Sequence, residues 1–344
     1  MSKPKFISIK GLFPDLHKII PGWIRGTYYC ITGATATGKS KFARYAFAEW
    51  TYRYCKANNI PFIVIYFALE ESVDFFWSTI ILGKLNERTG KQFTYYQFKG
   101  FHEGMEPKDY AEVELIMPEI HDMQKYIKVY DDISNPTGLL RTIEEELRPY
   151  GKLVKGEPIT DEQGNTIIHK TFEYNDPDFH TVVIADHLGL LSPETNKFAL
   201  VNTLHLAISK WSEYVVKLVC KRYNCIVANV HQQEMAGENN DNFKLNRLEP
   251  SEAKLGDNKI IGRDYMVTLA LFNPAKYGLS SYSGYNVRNF GKNFRSLSLI
   301  KHRNGEPEVQ KAMWFEGIGN KFEELPSPDK KQGITDFLRS KQLN

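Results

Sequence analysis

Eight residues, Gly33 to Ser40 (GATATGKS), constrain this chain more than any other stretch, because they fit the spacing G-x-x-x-x-G-K-S/T without a mismatch. Such a loop binds phosphate only where it joins a strand to a helix, and the flanks supply that context. Thr27 to Thr32 (TYYCIT) is aromatic and β-branched like a buried strand, and Lys41 to Cys55 reads as a helix. The backbone N–H groups of Gly33, Ala34, Thr35, Ala36, Thr37 and Gly38, with the helix N-terminus behind them, are expected to surround the β- and γ-phosphates of a nucleotide. Lys39 would neutralise charge there, and Ser40 would offer a hydroxyl to Mg²⁺.

Other apolar runs read as strands of a parallel sheet covered on both faces. Pro61 to Leu69 (PFIVIYFAL) ends in Glu70 and Glu71, and Thr181 to Ala185 ends in Asp186. Ligands of open α/β sheets gather at the carboxyl ends of strands, so Glu70 is placed to reach a nucleotide. An acid there also suits the first turn of the next helix, Ser72 to Arg88. Asp186 is placed to hold Mg²⁺ through water. Cys225 to Val230 ends in His231, Gln232 and Gln233, polar groups positioned to sense a γ-phosphate.

The fold class expected is therefore α/β, with a mostly parallel central sheet, helices on both faces and a C-terminal β-hairpin. Its remaining strands fall at Ile127 to Tyr130, Met266 to Phe272, Leu297 to Lys301 and Val309 to Phe315, and its later helices at Thr137 to Arg148 and Leu200 to Tyr223. Residues 1–25 read as a lead-in, with Phe13, Leu16, Ile19 and Ile20 forming a small apolar face, 26–318 as the nucleotide-binding domain, and 319–344 as a flexible basic tail, whose Pro326 to Asn344 reads as a loose helix or a peptide that orders on binding. The alternation of polar and apolar residues around DEQGN suggests an inserted hairpin at about 151–173, in which His169 is a surface residue.

A content of 42% hydrophobic and 13% aromatic residues suffices for a large core. The net charge of +3 is too small to announce nucleic acid, so any such site must be local. Asn239 to Asp264 is the one candidate, with Lys244, Arg247, Lys254, Lys259 and Arg263 set among Gly256 and Gly262. Basic loops of this kind suit phosphate backbones, and equally a solvated face. The four cysteines form no C-x-x-C pair, which argues against a zinc module and a disulfide framework and fits a reducing cytoplasm. No apolar run is long enough to span a bilayer, and MSKPKFISIKG is not a signal peptide, so no membrane association or export is expected.

In order, FPDLHKIIPGWIRGTYYCITGATATGKS, VIYFALEES, TVVIADHLGLL, IVANVHQQ and LIKHRNGE resemble the C-terminal ATPase domain of DnaB-type ring helicases, a RecA-like fold, from about Phe13 to Phe315. The resemblance implies ATP and Mg²⁺ as cofactors, with Lys39 on the phosphates, Ser40 and Asp186 on the metal, Glu70 activating water and His231 sensing the γ-phosphate. It implies that Lys301 and Arg303 act in trans on a neighbouring subunit's ATP. It implies a hexamer translocating 5′ to 3′ on single-stranded DNA, gripped by Lys254, Lys259 and Arg263. Partners implied are primase or a loader. The family's N-terminal domain has no counterpart in these residues, so a ring built from RecA-like domains alone is expected, as in a bacteriophage or mobile-element motor. KQGITDFLRSK also resembles peptides that bind a sliding clamp. A RadA/Sms-like branch-migration motor and a non-unwinding RecA-like adaptor are the competing expectations.

Overall fold

The computed structural model describes residues 5–160, 166–196, 199–233, 248–255, 259–306 and 309–342. Among them the apolar runs assemble into one nine-stranded sheet. Numbered in chain order, its strands are β1 (Tyr28–Gly33), β2 (Phe62–Ala68), β3 (Ile127–Tyr130), β4 (His180–Asp186), β5 (Ile226–Gln232), β6 (Val267–Phe272), β7 (Phe294–His302), β8 (Val309–Glu316) and β9 (Lys321–Glu324). Across the sheet the order is β9-β8-β7-β6-β1-β5-β4-β2-β3. The six strands from β6 to β3 run parallel, while β7, β8 and β9 form an antiparallel meander at one edge.

Every residue of β1, β2, β4 and β6 is buried, as continuous apolar runs require when helices cover both faces. Alternation within each strand divides the core. Val64 and Tyr66 face Phe42, Phe47 and Phe76, whereas Ile63, Ile65 and Phe67 face Leu139, Ile143 and Trp211. Helix α1 spans 39–57 and widens into a π-type stretch at Arg44–Glu49. Helix α2 (Val73–Thr89) begins where the Ser72 hydroxyl accepts the Phe75 N–H at 3.2 Å and stops at Gly90, whose φ is +71°. Helices α3 (Pro107–Tyr126), α4 (Pro136–Leu147) and α5 (Leu204–Tyr214) complete the layers. Helix α5 starts later than the apolar pattern suggests, because Ala199–Val201 pairs with Glu194–Asn196 and Thr203 caps the helix.

The inserted hairpin is present as Gly151–Thr160 paired antiparallel with Thr166–Tyr174, outside the main sheet. The side chain of His169 lies outside the described residues.

Two expectations about the ends of the chain are corrected. The lead-in is part of the core, since Phe6–Ser8 pairs with Gly22–Ile24 and Ile7, Phe13, Leu16, Ile20 and Trp23 join the cluster under α1. Trp23 stacks on Phe47 with ring centroids 4.0 Å apart and donates its indole N–H to the Ala46 carbonyl at 2.7 Å. The tail supplies β9 and a helix, Lys331–Gln342, whose Ile334, Phe337 and Leu338 pack against Trp314 and the cluster of Phe290, Phe294 and Leu325. Lys341 anchors it to Glu323 at 2.7 Å. The apolar residues that a clamp-binding peptide would insert into its partner are thus engaged within this chain. No helix among the described residues is long and apolar enough to cross a membrane.

Candidate nucleotide site

Sheet register decides which residues meet. Gly33 is level with Gln232 on one side and Leu271 on the other, and Ala68 is level with Asp186. The phosphate loop, Glu70, Asp186 and His231 therefore collect at the carboxyl edge of the parallel strands. Gly33 has φ +148°, and a Cβ there would lie 2.3 Å from the Leu271 carbonyl oxygen, so no larger residue fits. Gly38, with φ +98°, lets the loop rest on Phe315. Inside the loop, the Thr37 hydroxyl and the Lys39 ammonium each donate to the Ala34 carbonyl at 2.9 Å. That leaves Lys39 lying across the concavity that phosphates would enter.

Three further residues hold this loop from outside. Gln232 donates to the Thr35 hydroxyl at 2.7 Å, Lys276 to the Thr35 carbonyl at 3.4 Å, and Arg295 to the Thr37 carbonyl at 2.8 Å. Arg295 is buried over Phe315, and that burial lowers its pKa to about 10. Gln232 was legible as a polar strand end. An arginine within the apolar run of FRSLSLI was a signal for Arg295, whereas nothing in the sequence marks Lys276.

Asp186 is buried, accepting from the Ser40 hydroxyl at 2.9 Å and from the Tyr66 hydroxyl at 2.6 Å. Burial pushes its pKa up to about 6, helped by the charge of Glu71 and opposed by the two hydroxyls and Arg44. The partners of Asp186 are two hydroxyls, and oxygen ligands of this kind fit a small hard cation such as Mg²⁺, which Ser40 and Asp186 would hold. Because the folded-state pKa is raised, this group stabilises the ligand-free fold below about pH 4 and that contribution is lost as pH rises through about 6. The difference is about 3 kcal/mol at one pKa unit per 1.36 kcal/mol. Asp186→Asn should therefore resist urea better than the parent at pH 7.5, with the advantage vanishing near pH 4, while losing Mg²⁺-dependent turnover. Equal urea midpoints at pH 7.5 would contradict the buried charge.

The two acids after β2 take different places. Glu71 is bound to the guanidinium of Arg44, which is buried and lies 4.7 Å over the Phe76 ring. Both acids line a cleft of about 510 Å³ with Ser40, Ser72, Phe75, Tyr95 and Asp186, but Glu70 is 61% exposed and makes no bond to Arg44. His231 is buried, its Nδ1 3.4 Å from the Tyr265 hydroxyl. Burial, then the nearby His187 and Lys39, hold its pKa down at about 4, so it is a neutral imidazole at pH 7.

Lys301 and Arg303 do not join this edge. Lys301 is level with Thr268 and hence with Cys30, three residues short of Gly33, or about 10 Å along the strand. Its ammonium binds the Gly262 carbonyl and lies 3.7 Å from the Glu252 carboxylate. Arg303 lies farther out, its guanidinium bound to the Arg263 carbonyl. Both cations thus occupy the last turn of helix Lys259–Asp264, a favourable place for positive charge. Of the residues expected on DNA, Arg263 is exposed and Lys254 donates to the Glu249 carbonyl at 2.8 Å. Lys244, Arg247, Gly256 and the side chain of Lys259 lie outside the described residues.

Strand order and the place of the loop define a RecA-like α/β domain. Comparison with solved structures agrees. The chain is similar to a DnaB-like replicative helicase whose interactions with primase were characterised, with TM-score 0.65, 16% identity, 93% of this chain covered and 64% of that one. It is also similar to the solved ATPase domain of a second protein, with TM-score 0.67, 16% identity and 94% of each chain covered. At this identity the likeness is one of fold, and this chain spans less than two thirds of the first protein. No protein-family model matches the sequence, and no curated protein does.

Proposed function

We propose that this chain is an ATP-hydrolysing DNA helicase motor that works as a hexameric ring on single-stranded DNA in replication, moving 5′ to 3′ in the cytoplasm. The observation that carries the reading is the meeting, at one sheet edge, of the phosphate loop, a Ser40 and Asp186 oxygen pair, an exposed Glu70 and a neutral His231. Lys39 would release Ala34 and pair with phosphate oxygens. Bound Mg²⁺ would supply charge neutralisation on the β- and γ-oxygens. Glu70 would orient the attacking water and accept its proton, while His231 would donate a hydrogen bond to the γ-phosphate. Lys301 and Arg303, lying away from the phosphate loop of their own chain, are assigned to the neighbour's site. Primase is the partner proposed by analogy with the similar helicase.

Particle images with an ATP analogue and an oligonucleotide, alongside ATPase rates with and without single-stranded DNA, test this. Stimulated hydrolysis and a ring enclosing DNA are expected. Slow hydrolysis indifferent to DNA would favour an adaptor instead.

For the DNA path, Lys254→Ala combined with Lys259→Ala should weaken oligonucleotide binding equally across sequences and flatten its dependence on salt, by about 0.7 in log–log slope for each phosphate no longer neutralised. An unchanged slope removes this segment from the path.

A further inference from the structure

Glu70 follows β2 and His187 follows β4, and the register places both just past the carboxyl edge. Ala68 is paired with Asp186, and the Leu69 N–H donates to the Asp186 carbonyl at 2.7 Å, which locks the two strand ends together. The imidazole of His187 is fixed from behind. Its Nδ1 accepts the Gly189 N–H at 3.2 Å, so Nδ1 carries the lone pair and Nε2 carries the proton of the neutral ring. Gly189 keeps the ring where it is, since a Cβ at that position would lie 3.0 Å from both Cε1 and Nδ1. On the far side, Nε2 lies 3.6 Å from Glu70 Oε2. His187 is 15% exposed and Glu70 61% exposed, so the fixed partner is the histidine and the movable one the glutamate.

We propose that His187 is a positioning residue: its Nε2–H engages the Glu70 carboxylate and holds the other carboxylate oxygen over the cleft toward the attacking water. This deepens the proposed function and rests on it. The 3.6 Å separation is longer than a formed hydrogen bond, and catalytic hydrogen bonds are often long before the reactants are bound. Ground-state binding of the nucleotide needs neither group, because Lys39, the loop amides and the Ser40 and Asp186 oxygens supply it.

Two amides separate the two ends of the imidazole. Asparagine places an oxygen near Nδ1 and so keeps the bond from Gly189, but it cannot reach Glu70. Glutamine extends its amide to the place of Nε2 and can donate to Glu70. We expect His187→Asn to lower kcat for Mg·ATP by about 10- to 100-fold, the range seen for residues that orient a metal ligand from behind, with KM within about twofold. His187→Gln should recover most of the loss. Gly189→Ala, which only presses on the ring, should give a smaller fall in kcat with the same KM. In single-turnover measurements the double variant His187→Asn with Glu70→Gln should be no slower than Glu70→Gln alone, since one group acts through the other. Multiplicative losses in the double variant, or a parental kcat in His187→Asn, would overturn the assignment. If the parent hydrolyses ATP only when Lys39 is intact and His187→Asn is unaffected, this inference alone fails. If the parent shows no Lys39-dependent hydrolysis, the proposed function fails and takes this inference with it.

Discussion

Glu70→Gln is expected to bind Mg·ATP as tightly as the parent and to hydrolyse it about 10² to 10⁴ times more slowly, the range for loss of a general base. Lys39→Ala should instead lose both binding and turnover, because its ammonium is the charge that phosphates would meet inside the loop. The separation of the two phenotypes is the informative part. Glu71 provides the control: it is tied to the buried Arg44, so Glu71→Gln leaves a guanidinium without its counter-charge and should lower the unfolding midpoint. Parental turnover in Glu70→Gln would mean that the wrong acid of the pair has been assigned. Equilibrium binding of a fluorescent ATP analogue and steady-state phosphate release measure all three variants.

Much of this site was legible because its parts are local. A continuous apolar run that stops at an acid locates both a strand and the acid placed at its carboxyl end, as for Phe67 to Glu70 and for Ile184 to Asp186. The loop pattern likewise contains its own glycines, lysine and hydroxyl. What escaped are contacts set by sheet order. Arg295 reaches Thr37 across 258 residues of sequence only because β7 lies two places from β1 in the sheet. Lys276 reaches Thr35 because β6, which it follows, is the neighbour of β1. The lead-in and the tail were misjudged for a related reason: apolar residues such as Ile7, Phe13 and Trp23 mark a surface to be buried, but their packing partner is known only once the sheet and its helices are assembled. Trp23 finds Phe47, and Phe337 finds Trp314. Glu70 and Glu71 are adjacent and alike in sequence. Only the buried position of Arg44 distinguishes them.

Arg303→Ala should assemble and bind Mg·ATP yet hydrolyse it about 10³ to 10⁵ times more slowly, the scale of an arginine presented to the transferred phosphoryl group. Lys301→Ala should act in the same direction with a smaller effect, since an ammonium is a single point charge where a guanidinium binds with two parallel donors. Among the described residues Arg303 caps the Arg263 carbonyl from an exposed position, and losing one such bond costs about 1 kcal/mol, too little to unfold the domain. A purely structural role would therefore leave the rate nearly unchanged. A large loss with intact binding requires the guanidinium to meet the phosphates, and the register puts it at the opposite edge from Gly33, so the phosphates must belong to another subunit. Mixing resolves the geometry. Rings combining Arg303→Ala and Lys39→Ala subunits contain some interfaces in which an intact arginine faces an intact loop, and these should hydrolyse ATP although each variant alone does not. If mixed rings are shown to form and their activity is only the sum of the separate variants, the arginine does not act in trans.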